Sequence, residues 1–408
     1  MRTSTMRYFL LVCWLLSLTG MSSPGRSAPM TLGALDPIAL TKLAVRGLAF
    51  AVLGLILLRY NQSARSATLL RRLFPLILFS GWAVASIWWS AIRTVTSGHA
   101  GDLVLLVMLS GAAGFLTLAE EDYRRVFAHL TTIAILVSVL LMALNLRTIL
   151  AGGRPTGYMQ PNDMAKTAGA GLIMLACCHG LWDWSWTRKL LAPAVLVLAT
   201  ALIVAQSRTA TILTPLFLLP VCWRFRKTFT LIAVFVMIGL LAAMAPYSEG
   251  VLHLPETAAA YLARGQTAGE LTGLSGRTEM WTIALRSFQD APLFGHGYYM
   301  MTEAGVFQVW GKRQWQTAHN AFLHVLTGLG LIGTAFLGWG LAAAVRPCLS
   351  ALRDLGQTRK VEFLALVMIA WYCAMGMFEL SFFGPIDTAV VTFFVLLGVS
   401  AGRPAQGW

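Results

Sequence analysis

His319 and Asn320 stand together in Thr317-Ala318-His319-Asn320-Ala321, immediately ahead of an apolar run. An imidazole there has the right proton affinity for a general base near neutral pH, whereas a His-Asn pair opening a helix also reads as a cap. His324 follows five residues on, about 500° around a helix, so the two rings diverge and do not form an HExxH-type zinc pair. No metal site is expected. Arg208, in Gln206-Ser207-Arg208-Thr209, is the one charge in the apolar stretch 190–222. It reads either as a cation snorkelling to headgroups or as a functional group at the membrane edge. Arg277 begins a short amphipathic segment, where a cation meets the unfavourable end of the helix dipole. Its partner is then a ligand anion, unless it is simply a solvated charge. Arg154, in Gly152-Gly153-Arg154-Pro155-Thr156-Gly157-Tyr158, lies in a turn-rich outer connector that either lines the mouth of a cavity shared with His319 or only reverses the chain. Arg286 is a weaker candidate of the same kind, and His296 reads as structural.

The elements that position these residues follow from hydropathy. Apolar runs long enough to approach the roughly 20 residues of a bilayer crossing fall near 8–22, 40–59, 73–92, 103–119, 127–148, 164–182, 190–206, 209–223, 229–246, 319–344, 361–380 and 384–401. This predicts an all-α polytopic membrane protein of about twelve helices, one integral membrane domain over residues 1–408. A straight helix over 190–222 would run about 50 Å, against a hydrocarbon core of about 30 Å, so a tight reversal near Ser207 is expected. Residues 248–318 form one long polar loop, and loops of that length usually carry function. Within it Met280, Trp281, Ala284, Leu285 and Phe288 recur at helical spacing, predicting an amphipathic helix over 277–289 that lies on the membrane or caps a cavity.

Composition agrees. The 408 residues are 57% hydrophobic and 12% charged, with mean hydropathy +0.69, and soluble domains carry about 25% charged residues. A net charge of +14 would suit a nucleic-acid binder, but the cations sit in short clusters between apolar runs and read as topology signals. With the N-terminus inside, Arg2 and Arg7, Arg71 and Arg72, Arg124 and Arg125, and Arg224, Arg226 and Lys227 all fall on the inner side. The bias over short loops is about 18 to 8 and places both termini inside. The first 29 residues resemble a secretory signal but are read as an uncleaved first helix; cleavage leaves the remaining topology unchanged. The six cysteines form no CxxC pattern. No GxxxxGK[ST], GxGxxG or DxD motif is present, so neither a nucleotide nor a cofactor is expected, and nucleic acid is excluded as a partner. The apolar runs look free of charged relays, which argues against a transporter.

Several short runs together resemble a known family. They are Ser207-Arg208-Thr209 at a helix turn; Gly276-Arg277-Thr278-Glu279-Met280-Trp281 leading to Pro292-Leu293-Phe294-Gly295-His296-Gly297; Ala318-His319-Asn320 followed by Gly328-Leu329-Gly330-Leu331-Ile332-Gly333; and Gly157-Tyr158 with Pro161-Asn162-Asp163-Met164-Ala165. In order and topology they are similar to the O-antigen ligase and polymerase superfamily of bacterial inner-membrane glycan-assembly proteins. The resemblance implies a metal-independent, inverting glycosyltransferase whose long loop and active site face the periplasm, with both termini cytoplasmic. It implies an undecaprenyl diphosphate-linked glycan donor and, for a ligase, the lipid A core oligosaccharide as acceptor, in lipopolysaccharide biosynthesis. Carried over residue by residue, Arg208 and Arg277 bind the donor diphosphate and His319 activates the acceptor, with Arg286, Arg154 and Asn320 secondary. The single long loop bearing arginine and histidine looks more like a ligase. An O-antigen or exopolysaccharide polymerase is the alternative, and a lipid-linked glycan flippase a more distant one.

Overall fold

The computed structural model describes residues 2–20, 37–60, 64–117, 119–151, 153–182, 185–224, 277–302, 307–309, 313–315, 318–352 and 360–403. The regular secondary structure of the described residues is helical apart from one small antiparallel hairpin. The helices are α1 (Arg2–Leu18), α2 (Pro37–Tyr60), α3 (Ala64–Ala85), α4 (Arg93–Leu116), α5 (Glu120–Leu144), α6 (Leu146–Leu150), α7 (Pro161–Leu181), α8 (Ser185–Val204), α9 (Arg208–Arg224), α10 (Arg277–Asp290), α11 (Ala321–Val345), α12 (Lys360–Gly376) and α13 (Thr388–Ala401). The hairpin pairs β1 (Phe307–Val309) with β2 (Arg313–Trp315), Gln308 opposite Gln314.

Among the described residues six helical segments are long and apolar enough to cross a bilayer: 37–60, 67–88, 93–116, 121–144, 161–181 and 321–349. Four shorter apolar helices accompany them, at 4–18, 190–204, 361–376 and 388–401. Each predicted apolar run has a helical counterpart except 229–246, which lies outside the described residues, as does 248–276 of the long loop.

The chain divides into two compact units. One comprises residues 1–52, 119–264 and 386–392, the other 53–118, 265–385 and 393–408. In the first, α7 is almost wholly buried among α5, α8 and α9. Its small residues permit that closeness: a side-chain carbon added at Gly171 would lie 3.0 Å from both Ala134 and Leu198. In the second unit α3 packs on α4 and α11, and the Ser110 hydroxyl in α4 donates to the Phe394 carbonyl at 2.7 Å.

The second unit contains a broken helix. At Gly330 in α11 the backbone takes φ 67°, ψ −167°, and the helical ladder stops and restarts. A break at bilayer depth is tolerated only where the freed groups find new partners. Here the Pro292–Gly297 loop supplies them: His296 and Gly297 donate their N–H groups to the carbonyls of Thr327 and Gly328 at 3.1 and 2.9 Å. In return Leu331 and Ile332 donate to the carbonyls of Pro292 and Leu293 at 2.9 and 3.4 Å. The two glycine-rich runs are thus the two faces of one main-chain joint, and a Cβ at Gly330 would sit 2.2 Å from the Leu293 carbonyl oxygen.

Candidate active site

In the second unit α10 spans 277–290, as the amphipathic pattern predicts. Met280, Ala284 and Ser287 form its buried line, whereas Leu285, expected on that line, is exposed, since Ser287 replaces it against His296. Met280 and Ala284 form a small core with Met301 and Ala318, and Trp281 packs on it. The Trp281 indole N–H donates to the Ala318 carbonyl at 2.9 Å, which ties α10 to the residue just before His319.

His319 lies between that anchor and α11, with φ 48°, a left-handed conformation rare for a side chain larger than glycine's. Asn320 caps α11: its Oδ1 accepts from the Leu323 N–H at 2.9 Å, so its side chain is committed to the helix start. The backbone turn points the imidazole at Glu379, in the turn after α12. His319 Nδ1 lies 3.0 Å from Glu379 Oε2, and Arg277 Nη2 donates to Glu379 Oε1. The Glu379 side chain is 5% exposed, those of Arg277 and His319 18% and 19%. A carboxylate held by a guanidinium is acceptor-only, so His319 donates to it from Nδ1, and Nε2 lies on the opposite side of the ring. The arrangement is an oriented imidazole and a guanidinium joined through a buried acid.

Other candidates fall elsewhere. Arg286 is exposed, nine residues or about 180° around α10 from Arg277, and does not join this cluster. His296 ties its loop to α10: its Nε2 lies 2.8 Å from the Ser287 carbonyl and 3.0 Å from the Ser287 hydroxyl. His324 is buried, with Nδ1 against Met301 sulfur at 2.9 Å. Burial pushes the Tyr298 phenol up, with Tyr299 and Asp102 adding to the shift, so it stays neutral.

Arg208 and Arg154 lie in the first unit. The reversal expected near Ser207 is present: α8 ends at Val204, Gln206 takes φ 51°, and the Ser207 carbonyl accepts from Thr211 as α9 begins at Arg208. Arg154 braces this turn. Its Nε donates to the Ala205 carbonyl at 3.3 Å and its Nη2 to Asn162 Oδ1 at 2.8 Å, at the start of α7.

The sequence reading missed Glu379, a carboxylate inside the apolar run 361–380. It also missed Lys166, 3% exposed within α7, with Asp163 at 2.6 Å and Asp387, inside the run 384–401, at 3.8 Å. The runs are therefore less free of charge than expected, and Glu379 and Lys166 both meet partners distant in sequence that only folding brings to them. Among the described residues no group of three or more His, Cys, Asp or Glu side chains could hold a metal ion.

No curated protein matches the chain. Residues 193–338 match a family model described as O-antigen ligase, and the matched segment contains Arg208, Arg277 and His319, while Arg154, Lys166 and Glu379 lie outside it.

Proposed function

We propose that this protein is an inverting glycosyltransferase of the bacterial inner membrane, an O-antigen ligase moving a polysaccharide from undecaprenyl diphosphate to a sugar hydroxyl of the lipid A core. It works at the periplasmic face, as one membrane domain of about twelve spans with both termini cytoplasmic and 248–318 as its periplasmic loop. The observation that carries this reading is the His319–Glu379–Arg277 cluster, with two of its three members inside the O-antigen ligase match.

The chemistry follows from those groups. His319 Nε2 takes the proton of the acceptor hydroxyl as its oxygen bonds to the anomeric carbon. The bond from that carbon to the diphosphate oxygen breaks, and its electron pair leaves with the diphosphate. Arg277 and Arg208 are assigned to that leaving group, because a guanidinium stays charged and meets phosphate oxygens with paired N–H donors. Arg154 positions the turn that presents Arg208, Asn320 the helix that follows His319, and Glu379 the ring itself.

The test uses purified protein in nanodiscs with undecaprenyl diphosphate-linked glycan and lipid A core, without nucleotide. Glycan on the core that disappears in His319→Ala and Arg208→Ala is the expected result. Longer chains remaining on the polyprenyl carrier would assign a polymerase, and undiminished activity in His319→Ala would remove the proposed base.

A further inference from the structure

Glu379 joins Arg277 and His319, and on the reading above both act on substrate, so the inference here rests on that reading. The carboxylate is sealed from solvent at 5% exposure, while Arg277 and His319 remain reachable at 18% and 19%. Each carboxylate oxygen has its own partner: Oε1 takes Arg277 Nη2 and Oε2 faces His319 Nδ1. Both partners come from separate segments, 102 and 60 residues away, and the three groups meet only here. Glu279, the other acid on this part of α10, lies two residues or about 200° around the helix from Arg277.

A phosphate arriving at Arg277 meets a guanidinium already engaged by an anion. Carboxylate and phosphate oxygens seek the same N–H donors, so the two compete. As Arg277 turns toward phosphate, Glu379 gives up the Arg277 contact and retains the one to His319 Nδ1–H. A carboxylate oxygen relieved of the guanidinium accepts a stronger hydrogen bond from Nδ1–H, and that bond prepares the opposite nitrogen, Nε2, to take a proton as the hydroxyl attacks.

We propose that Glu379 is an exchange latch: it holds Arg277 in the empty protein and hands it to the lipid diphosphate, so that His319 becomes a competent base only once donor is bound. Glu379 is a positioning residue in this scheme and touches neither sugar. The latch makes donor binding the first step and acceptor activation its consequence, and it keeps the base weak while no glycosyl group is in place.

The experiment measures binding of glycan-free undecaprenyl diphosphate to nanodisc-held wild type and Glu379→Gln, together with transfer kinetics of both. Removing the competitor is expected to tighten binding about tenfold while kcat falls about tenfold or more. Equal or weaker binding in Glu379→Gln would overturn the latch, because the carboxylate would then be holding Arg277 ready for phosphate. A second measurement needs no variant at the acid. In protein labelled with 15N-histidine, with seven histidines in all and the His319 signal assigned by its loss in His319→Asn, carrier diphosphate should move the Nδ1–H signal as its hydrogen bond to Glu379 tightens, while Nε2 stays unprotonated at constant pH. No movement under saturating carrier would also overturn it. A wild type that neither binds the carrier nor transfers glycan would remove the functional reading itself, whereas binding and transfer without either effect would remove the latch alone.

Discussion

At the residue scale, His319 combines a backbone conformation that costs free energy with a side chain whose ring has a fixed partner. A non-glycine residue in the left-handed region costs about 1 kcal/mol or more. The Trp281 anchor before it and the Asn320 cap after it offset that cost and hold the ring on Glu379. The two contributions separate by substitution. His319→Ala and His319→Gly are both expected to lower transfer by about 10²- to 10⁴-fold, the range for a lost general base. His319→Gly should nevertheless be about 1 kcal/mol more stable than His319→Ala in thermal unfolding in detergent, because glycine adopts φ 48° without strain. Equal stability of the two would mean that the turn relaxes when the ring is removed. Asn320→Ala should cost about 1 kcal/mol and leave the proton affinity of the ring unchanged, as expected of a cap.

At the element scale, α11 gives an internal control. Gly330 and Gly338 share one helix, but a Cβ at Gly330 would strike the Leu293 carbonyl oxygen at 2.2 Å at a φ of 67°, while at Gly338 it would meet nothing within 4 Å. Gly330→Ala is therefore expected to destabilise by about 1–3 kcal/mol, and Gly338→Ala to be neutral or to stabilise by about 1 kcal/mol. Chemical or thermal unfolding of the two variants side by side checks this. In the first unit Lys166 joins α7 to Asp387, which also caps α13 by accepting from the Val390 N–H at 2.8 Å. Lys166→Met strands Asp163 and Asp387 and is expected to cost about 3–5 kcal/mol, the cost of an uncompensated buried charge. Adding Asp387→Asn to Lys166→Met should recover part of that loss, and a double-mutant cycle on unfolding measures how much.

For the whole molecule, the charge bias predicts both termini in the cytoplasm. Fluorescent-protein fusions at either end should fluoresce, and alkaline phosphatase inserted within 248–276 should be active; the reverse pattern would invert the topology. Sequence made legible what repeats locally: the apolar runs, the reversal at Ser207 and the periodicity of α10 all follow from neighbours a few positions apart. Arg277 and His319 were legible as candidates from their places at a helix start and a span entrance. Glu379 was not, because its meaning comes from partners 102 and 60 residues away, and nothing within 361–380 points to them. The joint between Pro292–Gly297 and α11 was hidden for another reason: its four bonds are between main-chain groups, which side-chain identity does not encode.

That joint also bears on how the protein meets bilayers of different thickness. Because the hydrogen-bonded ladder of α11 is interrupted at Gly330, the stretch beside His319 ends at Leu329, and the 331–345 rod begins anew. A thicker or thinner hydrocarbon layer is accommodated mainly by tilting long rods. The loop grips both sides of the break, Thr327 and Gly328 on one and Leu331 and Ile332 on the other, so tilting of the rod beyond Ile332 is taken up at the joint before it reaches His319. Transfer rates are therefore expected to change little across nanodiscs of different acyl-chain length, and disrupting the joint with Gly330→Ala should make them depend on it.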